Sequence, residues 1–275
     1  MAQLKKIGIL SAAKISSAIG LIVGLVYAVL ILVAGGAIAS LFGPVISKFI
    51  GLGIALLVAL PALEAIGSFI GVAIIVFLYN VMAARVGGVE IDLKRGKLNR
   101  VGPMSLAKIA GVVGVIAGLI VGCIVAVAAA AMAPGSAAIV AIVVVAFTTL
   151  FSAIIYFLMG LIGAFVYNAL ASMIGGLELG ITKGELKSIG IASYVKISAA
   201  LGAIEGVLVG ILYFALGSNA QTSVGLPSAV AALGILNVVV FPVLYLVLGA
   251  VGAALGGYLY NKLTGSMGGV RLEIG

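Results

Sequence analysis

The 275 residues are 64% hydrophobic and 8% charged, with a mean hydropathy of +1.44, where a soluble domain carries about 25% charged residues; a water-soluble globule is excluded and a polytopic membrane protein fits. The net charge of +8 is spread through short connections and not gathered into a basic face, so no nucleic-acid partner is expected. One cysteine, Cys123, and no histidine rule out an internal disulfide and leave no usual ligand set for zinc, haem or an iron–sulfur cluster, so no cofactor is expected.

The N-terminal stretch "MAQLKKIGILSAAKISSAIG" lacks a small-x-small cleavage site, and its apolar run continues to about Ala34. It predicts a first span over about 14–34, following Lys14, and not a removable signal. The next apolar segment, 44–86, is too long for one span. Pro61 lies 19 residues before Asn80, about 28 Å of helix and roughly the thickness of the hydrocarbon core. Pro61 therefore reads as the outer start of a second span, with 44–60 as an extra outer-side apolar helix; the alternative is one long bent helix. At "YNVMAARVGGVE" (79–90) that span reaches its inner end: Tyr79 at the interface, Asn80 as a polar anchor, Gly87 and Gly88 to stop the helix and turn the chain. "VEIDL" (89–93) and "LNRVG" (98–102) alternate around "KRGK" and read as a β-hairpin.

The same succession follows twice more. Lys108 opens a span over about 108–131. The segment 136–174 has Thr149 in the place of the proline, an outer piece at 137–148, and ends in Tyr167, Asn168, Gly175 and Gly176. The strands 177–181 and 186–190 form the second hairpin. Lys196 opens the third pair, with a span over about 196–216, a segment 227–267 containing Pro242 and an outer piece at 228–241, and an end at Tyr260, Asn261, Gly268 and Gly269. A final strand, 270–274, is expected to pair with 4–8. The phrases "IGILSAAKI", "VGPMSLAKI" and "IGIASYVKI" precede the three pairs, and the matched lysines and asparagines recur at a spacing near 90. The expected fold is thus an all-α polytopic membrane protein of six transmembrane helices in three parallel two-helix repeats, 1–93, 94–181 and 182–275. A pseudo-threefold axis along the membrane normal would relate them, with short cytoplasmic β-hairpins between them.

Positive charge clusters before the first span, in 85–108 and in 183–196, and after the last span, while the other connections hold only Lys48. This pattern predicts a multi-pass protein of the cell membrane with both termini cytoplasmic. The same basic residues are candidates to meet anionic lipid headgroups at the cytoplasmic face, and the β-rim to meet a protein partner. Small residues at spacing four on the odd helices (Gly20, Gly24 and Ala28; Gly114, Gly118 and Gly122; Gly202, Gly206 and Gly210) permit close helix approach, expected around the axis as a closed core. Two carboxylates break the repeat. Glu205 lies about 13 Å beyond Lys196, and Glu64 just inside Pro61. An ionisable group at such depth is a candidate ion or proton site. The Ser–Lys pairs at 11/14, 105/108 and 193/196 sit at helix starts, where capping and topology account for both residues, so no enzymatic activity is expected.

At "NRVGPMSLAKIAGVVG" (99–114) with "YNALASMIGGLEL" (167–179) the sequence resembles a transmembrane family known as domain of unknown function 3566, found in actinobacterial membrane proteins. Arg100, Pro103, Ser105, Lys108, Tyr167, Asn168, Gly175, Gly176 and Glu178 carry the likeness; the other copies lack the proline, and the third has Arg271 in place of the glutamate. The resemblance implies a two-span unit present three times and brings no activity with it. The expected function is that of a structural, accessory or scaffold membrane protein. A transporter or channel for a small solute, cation or proton using Glu205 is the alternative, and lipid binding a further one.

Overall fold

The computed structural model describes residues 1–42, 53–132, 137–223 and 233–275. Six long helices dominate: α1 (Ile9–Phe42), α2 (Leu56–Val86), α3 (Pro103–Met132), α4 (Ala137–Ile174), α5 (Ile191–Ser223) and α6 (Asn237–Met267). Each contains a stretch long and apolar enough to cross a membrane, with window hydropathies from 1.9 to 2.8. Such runs become helices in lipid because only a helix satisfies every backbone N–H and C=O within one segment. The protein is therefore multi-pass by the length and composition of its helices.

The six strands are β1 (Ala2–Ile7), β2 (Val89–Lys94), β3 (Lys97–Val101), β4 (Leu177–Thr182), β5 (Glu185–Ile189) and β6 (Val270–Ile274). They correct the expected fold class. The strands are not isolated hairpins appended to an all-α protein; they close into one six-stranded antiparallel barrel in chain order. The expected terminal pairing is present, with Leu4 opposite Ile274 and Ile7 opposite Leu272, and β1 also pairs with β2. A hairpin left alone exposes two unpaired edges, and joining hairpins edge to edge until the sheet meets itself removes them all. Arg95–Gly96 and Lys183–Gly184 make the two hairpin turns, with both central residues of each at positive φ, the two-residue geometry whose twist matches the flanking strands.

The expected outer-side helices also need correction. In the second segment α4 runs unbroken from Ala137, so 137–148 belongs to the span and is not a separate helix. In the first and third, a short 3-10 turn (Gly53–Ala55 and Gly234–Leu236) leads into α2 and α6, and Pro61 and Pro242 lie inside those helices, not at their starts. A proline this close to a helix start sacrifices at most one backbone hydrogen bond, so the helix extends a turn beyond it. Residues 44–52 and 228–232 of the expected outer pieces lie outside the described residues.

Two compact units make up the chain. The first comprises 1–9, 74–176 and 271–275. Its buried cluster is Tyr79, Ala83, Val89, Ile91 and Ile109, with Leu4, Ile7, Leu98, Val101 and Ile274 packed around it: inward-facing strand residues sealed by the ends of α2 and α3. The second comprises 10–73 and 177–270.

Helix pairing uses the glycine rows, though not around an axis as expected. Each row faces the even helix that follows it. Gly20 and Gly24 lie on the backbone of Glu64, Leu60 and Pro61; Gly114 and Gly118 on that of Ser152 and Thr149; Gly202 and Gly206 on that of Tyr245, Phe241 and Pro242. The residues that the sequence aligns (Pro61, Thr149 and Pro242; Glu64, Ser152 and Tyr245) thus meet the same partners in each pair. Thr148 adds a hydrogen bond from its hydroxyl to Gly118 O, at 3.1 Å.

Candidate functional site

Polar side chains near the ends of apolar helices must find partners, and in this chain the backbone supplies them. Each double glycine ends an even helix. Its first member takes positive φ (+87° at Gly87, +91° at Gly175, +80° at Gly268), a conformation other residues resist. The chain then turns into a strand. The second glycine passes so near an adjoining strand that a Cβ on Gly88, Gly176 or Gly269 would lie 2.0, 2.2 or 2.3 Å from the carbonyl oxygen of Leu4, Leu98 or Leu186.

Those three carbonyls are also the acceptors of the three tyrosines. The Tyr79 hydroxyl donates to Leu4 O, Tyr167 to Leu98 O and Tyr260 to Leu186 O. Tyr79 and Tyr260 also accept from the N–H of Val89 and Val270, at 3.3 and 3.4 Å. The asparagine after each tyrosine grips the residue three further along the same strand. Asn80 accepts from Ile7 N and donates to Ile7 O, both at 2.8 Å. Asn168 does the same to Val101 at 2.8 and 2.8 Å, and Asn261 to Ile189 at 2.7 and 2.9 Å. A primary amide offers one acceptor and a donor side by side, so it pairs with one residue's N–H and C=O much as a neighbouring strand would. Tyrosine and asparagine are therefore clamps between the C-terminal end of a helix and a barrel strand, a more specific role than interfacial anchoring.

A third set of bonds ties the strand to the start of the next helix. Ser105 Oγ accepts from Glu90 N and donates to Gly102 O, each at 2.9 Å; Ser193 Oγ accepts from Glu178 N at 2.9 Å and donates to Gly190 O at 2.8 Å. These hydroxyls are committed to the backbone. Lys14, Lys108 and Lys196 are exposed, and Ala13, Ile15, Ala107, Ile109 and Ile197 beside them are buried. At 105/108 and 193/196 the Ser–Lys spacing thus turns a hydroxyl to the strand and an ammonium outward. Sequence reasoning assigned these serines to helix starts and missed their bond to the preceding strand.

The two intramembrane carboxylates stand apart from the clamps. Glu205 precedes Gly206, whose face meets α6, so its side chain leaves the helix about 100° away from that seam. It is exposed and makes no hydrogen bond or ion pair among the described residues. Glu64 is half-buried, with its backbone carbonyl against Gly20. Among the described residues no group of three or more His, Cys, Asp or Glu side chains gathers to hold a metal. No family model, curated protein or solved structure matches this chain.

Proposed function

We propose that this is a non-enzymatic structural or accessory protein of the cell membrane. On this reading it is three tandem copies of one unit, 1–93, 94–181 and 182–275, holding a strand barrel on the cytoplasmic side as a platform for a protein partner, with both termini cytoplasmic. One observation carries the reading: the polar residues that recur three times, Tyr79/Asn80, Tyr167/Asn168 and Tyr260/Asn261, spend their hydrogen bonds on fastening helix ends to barrel strands. Their recurrence supports the repeat, and their use supports architecture over chemistry. The likeness to domain of unknown function 3566 then corresponds to three such units fused in one chain. A second reading, transport of a cation or proton, is favoured by the exposed and unpartnered Glu205 on an apolar helix.

Flux through liposomes holding the purified protein separates the two. The structural reading expects proton and cation leak equal to that of protein-free liposomes, for the native chain and for Glu205→Gln alike. Flux that the substitution abolishes overturns it in favour of transport. Photo-crosslinking from Arg95 and Lys183, at the hairpin tips, expects one discrete protein adduct that the lipid-facing position Ile142 does not give.

A further inference from the structure

We infer that the junction between β1 and the inner end of α2 binds a single anionic phospholipid. A cavity of about 590 Å³ opens there, with Lys5 and Lys6 at its rim and Phe77, Val81 and Ala84 along its wall; sites for small ligands commonly run to about 300–1,000 Å³. Consecutive residues of a strand point to opposite faces, so two adjacent lysines should not reach one cavity. They do so because β1 is irregular where it pairs with β6. The register shifts between Leu4 and Lys6, leaving Lys5 without a cross-strand partner. Such a bulge breaks the alternation and re-aims a side chain, and both lysines are exposed on the cavity.

The charges there are uncommitted. Neither lysine makes an ion pair or side-chain hydrogen bond among the described residues. Glu273 lies opposite Lys6 and on the same cavity, and Gly275 lies against the Lys5 side chain, yet neither ammonium is held in an ion pair among the described residues. Asn80, also on the cavity, is held by Ile7. The same register shift recurs in the other two hairpins, at Asn99 and Lys187, without the same charges. Arg100 there lies opposite Asp92, while Lys187 pairs with Glu185 at 3.9 Å and is followed by Ser188. Of the three junctions, the first alone offers two adjacent free ammonium groups.

The wall decides what kind of anion fits. Phe77, Val81 and Ala84 stand at i, i+4 and i+7, one stripe of the helix, and Phe77 is 54% exposed near the inner end of an apolar span. An occupant that satisfies both ends carries a phosphate at Lys5 and Lys6 and an acyl chain along the stripe. Free phosphate would leave the stripe bare.

The test is lipid binding to the delipidated full chain in detergent, counted by native mass spectrometry during titration with phosphatidylglycerol or phosphatidylcholine. One phosphatidylglycerol per chain binds in preference. Lys5→Gln with Lys6→Gln weakens it about 30-fold, near fivefold for each lysine. Lys5→Arg with Lys6→Arg preserves binding, as does Arg95→Gln with Lys183→Gln, which removes the same charge from the hairpin tips. Phe77→Ala, an exposed replacement that leaves the fold alone, weakens binding without touching the charge, and glycerol phosphate, which has no acyl chain, fails to compete. Equal loss in the hairpin-tip variant, equal binding of phosphatidylcholine, full binding after loss of both lysines, or competition by glycerol phosphate would each overturn the inference.

Discussion

Replacing Gly206 by alanine tests whether the glycine rows set the distance between paired helices. A Cβ at Gly206 would stand 2.5 Å from both Phe241 O and Pro242 Cα, and 2.7 Å from Phe241 C. All three atoms belong to backbone, so no side chain can rotate out of the way. The helices α5 and α6 must separate by several tenths of an ångström or bend. Overpacking of this kind costs about 1–3 kcal/mol. It acts on an association that in lipid depends on close contact, because the tails around it are as apolar as the helices. Alanine recovers about 0.8–1 kcal/mol of intrinsic helix preference, so the expected net loss is about 0–2 kcal/mol. Gly252 on α6 supplies the control. Nothing lies within 4 Å of its would-be Cβ, so the same replacement there keeps the propensity gain and stabilises by up to about 1 kcal/mol. Reversible unfolding in mixed micelles reads both. Should Gly206→Ala prove no more destabilising than Gly252→Ala, the backbone contact does not control pairing and the reasoning fails.

The remaining predictions concern the junctions. Asn168→Ala leaves the N–H and C=O of Val101 without the amide that pairs with both; about 2 kcal/mol of stability should be lost, measurable by the same unfolding assay. Gly88→Ala places a methyl 2.0 Å from Leu4 O, a gap no local adjustment closes, so hydrogen exchange should show β1 and β2 losing protection while α3 and α4 keep theirs. Arg95→Asn and Lys183→Asn put a residue tolerant of positive φ at positions now at +52°, and each should stabilise by roughly 0.5–1 kcal/mol, read as a raised unfolding midpoint.

The helices were legible because a run of apolar residues long enough to cross lipid has few other fates, and all six spans lie where hydropathy puts them. Strand positions were legible too, since "VEIDL", "LELGI" and "VRLEI" alternate immediately after a helix-ending double glycine. Barrel closure was not. Turn chemistry announces a hairpin locally, but closing the sheet requires one hairpin to pair with the next, and no short stretch encodes that. The same limit hid the role of Tyr79 and Asn80. A tyrosine near the edge of a span resembles an interfacial residue, and only the distant Leu4 and Ile7 reveal that it and its neighbour hold a strand. Lys5 and Lys6 were visible only as charge, because a bulge in β1 depends on its pairing with β6.

That pairing also bears on how the protein comes into being. The partners β1 and β6 stand at opposite ends of the chain. At about 5–20 residues per second, roughly 15–55 s separate the emergence of the first strand from that of the sixth. Through this interval the helices can enter the membrane in order while β1 keeps one side unpaired. The ring closes only after the sixth strand has been made. A circular permutant, with residues 1 and 275 joined by a short linker and the chain opened between Arg95 and Gly96, would keep every strand pairing and cut only the turn between β2 and β3. It would also move the last step of assembly from the β1–β6 seam to the β2–β3 seam.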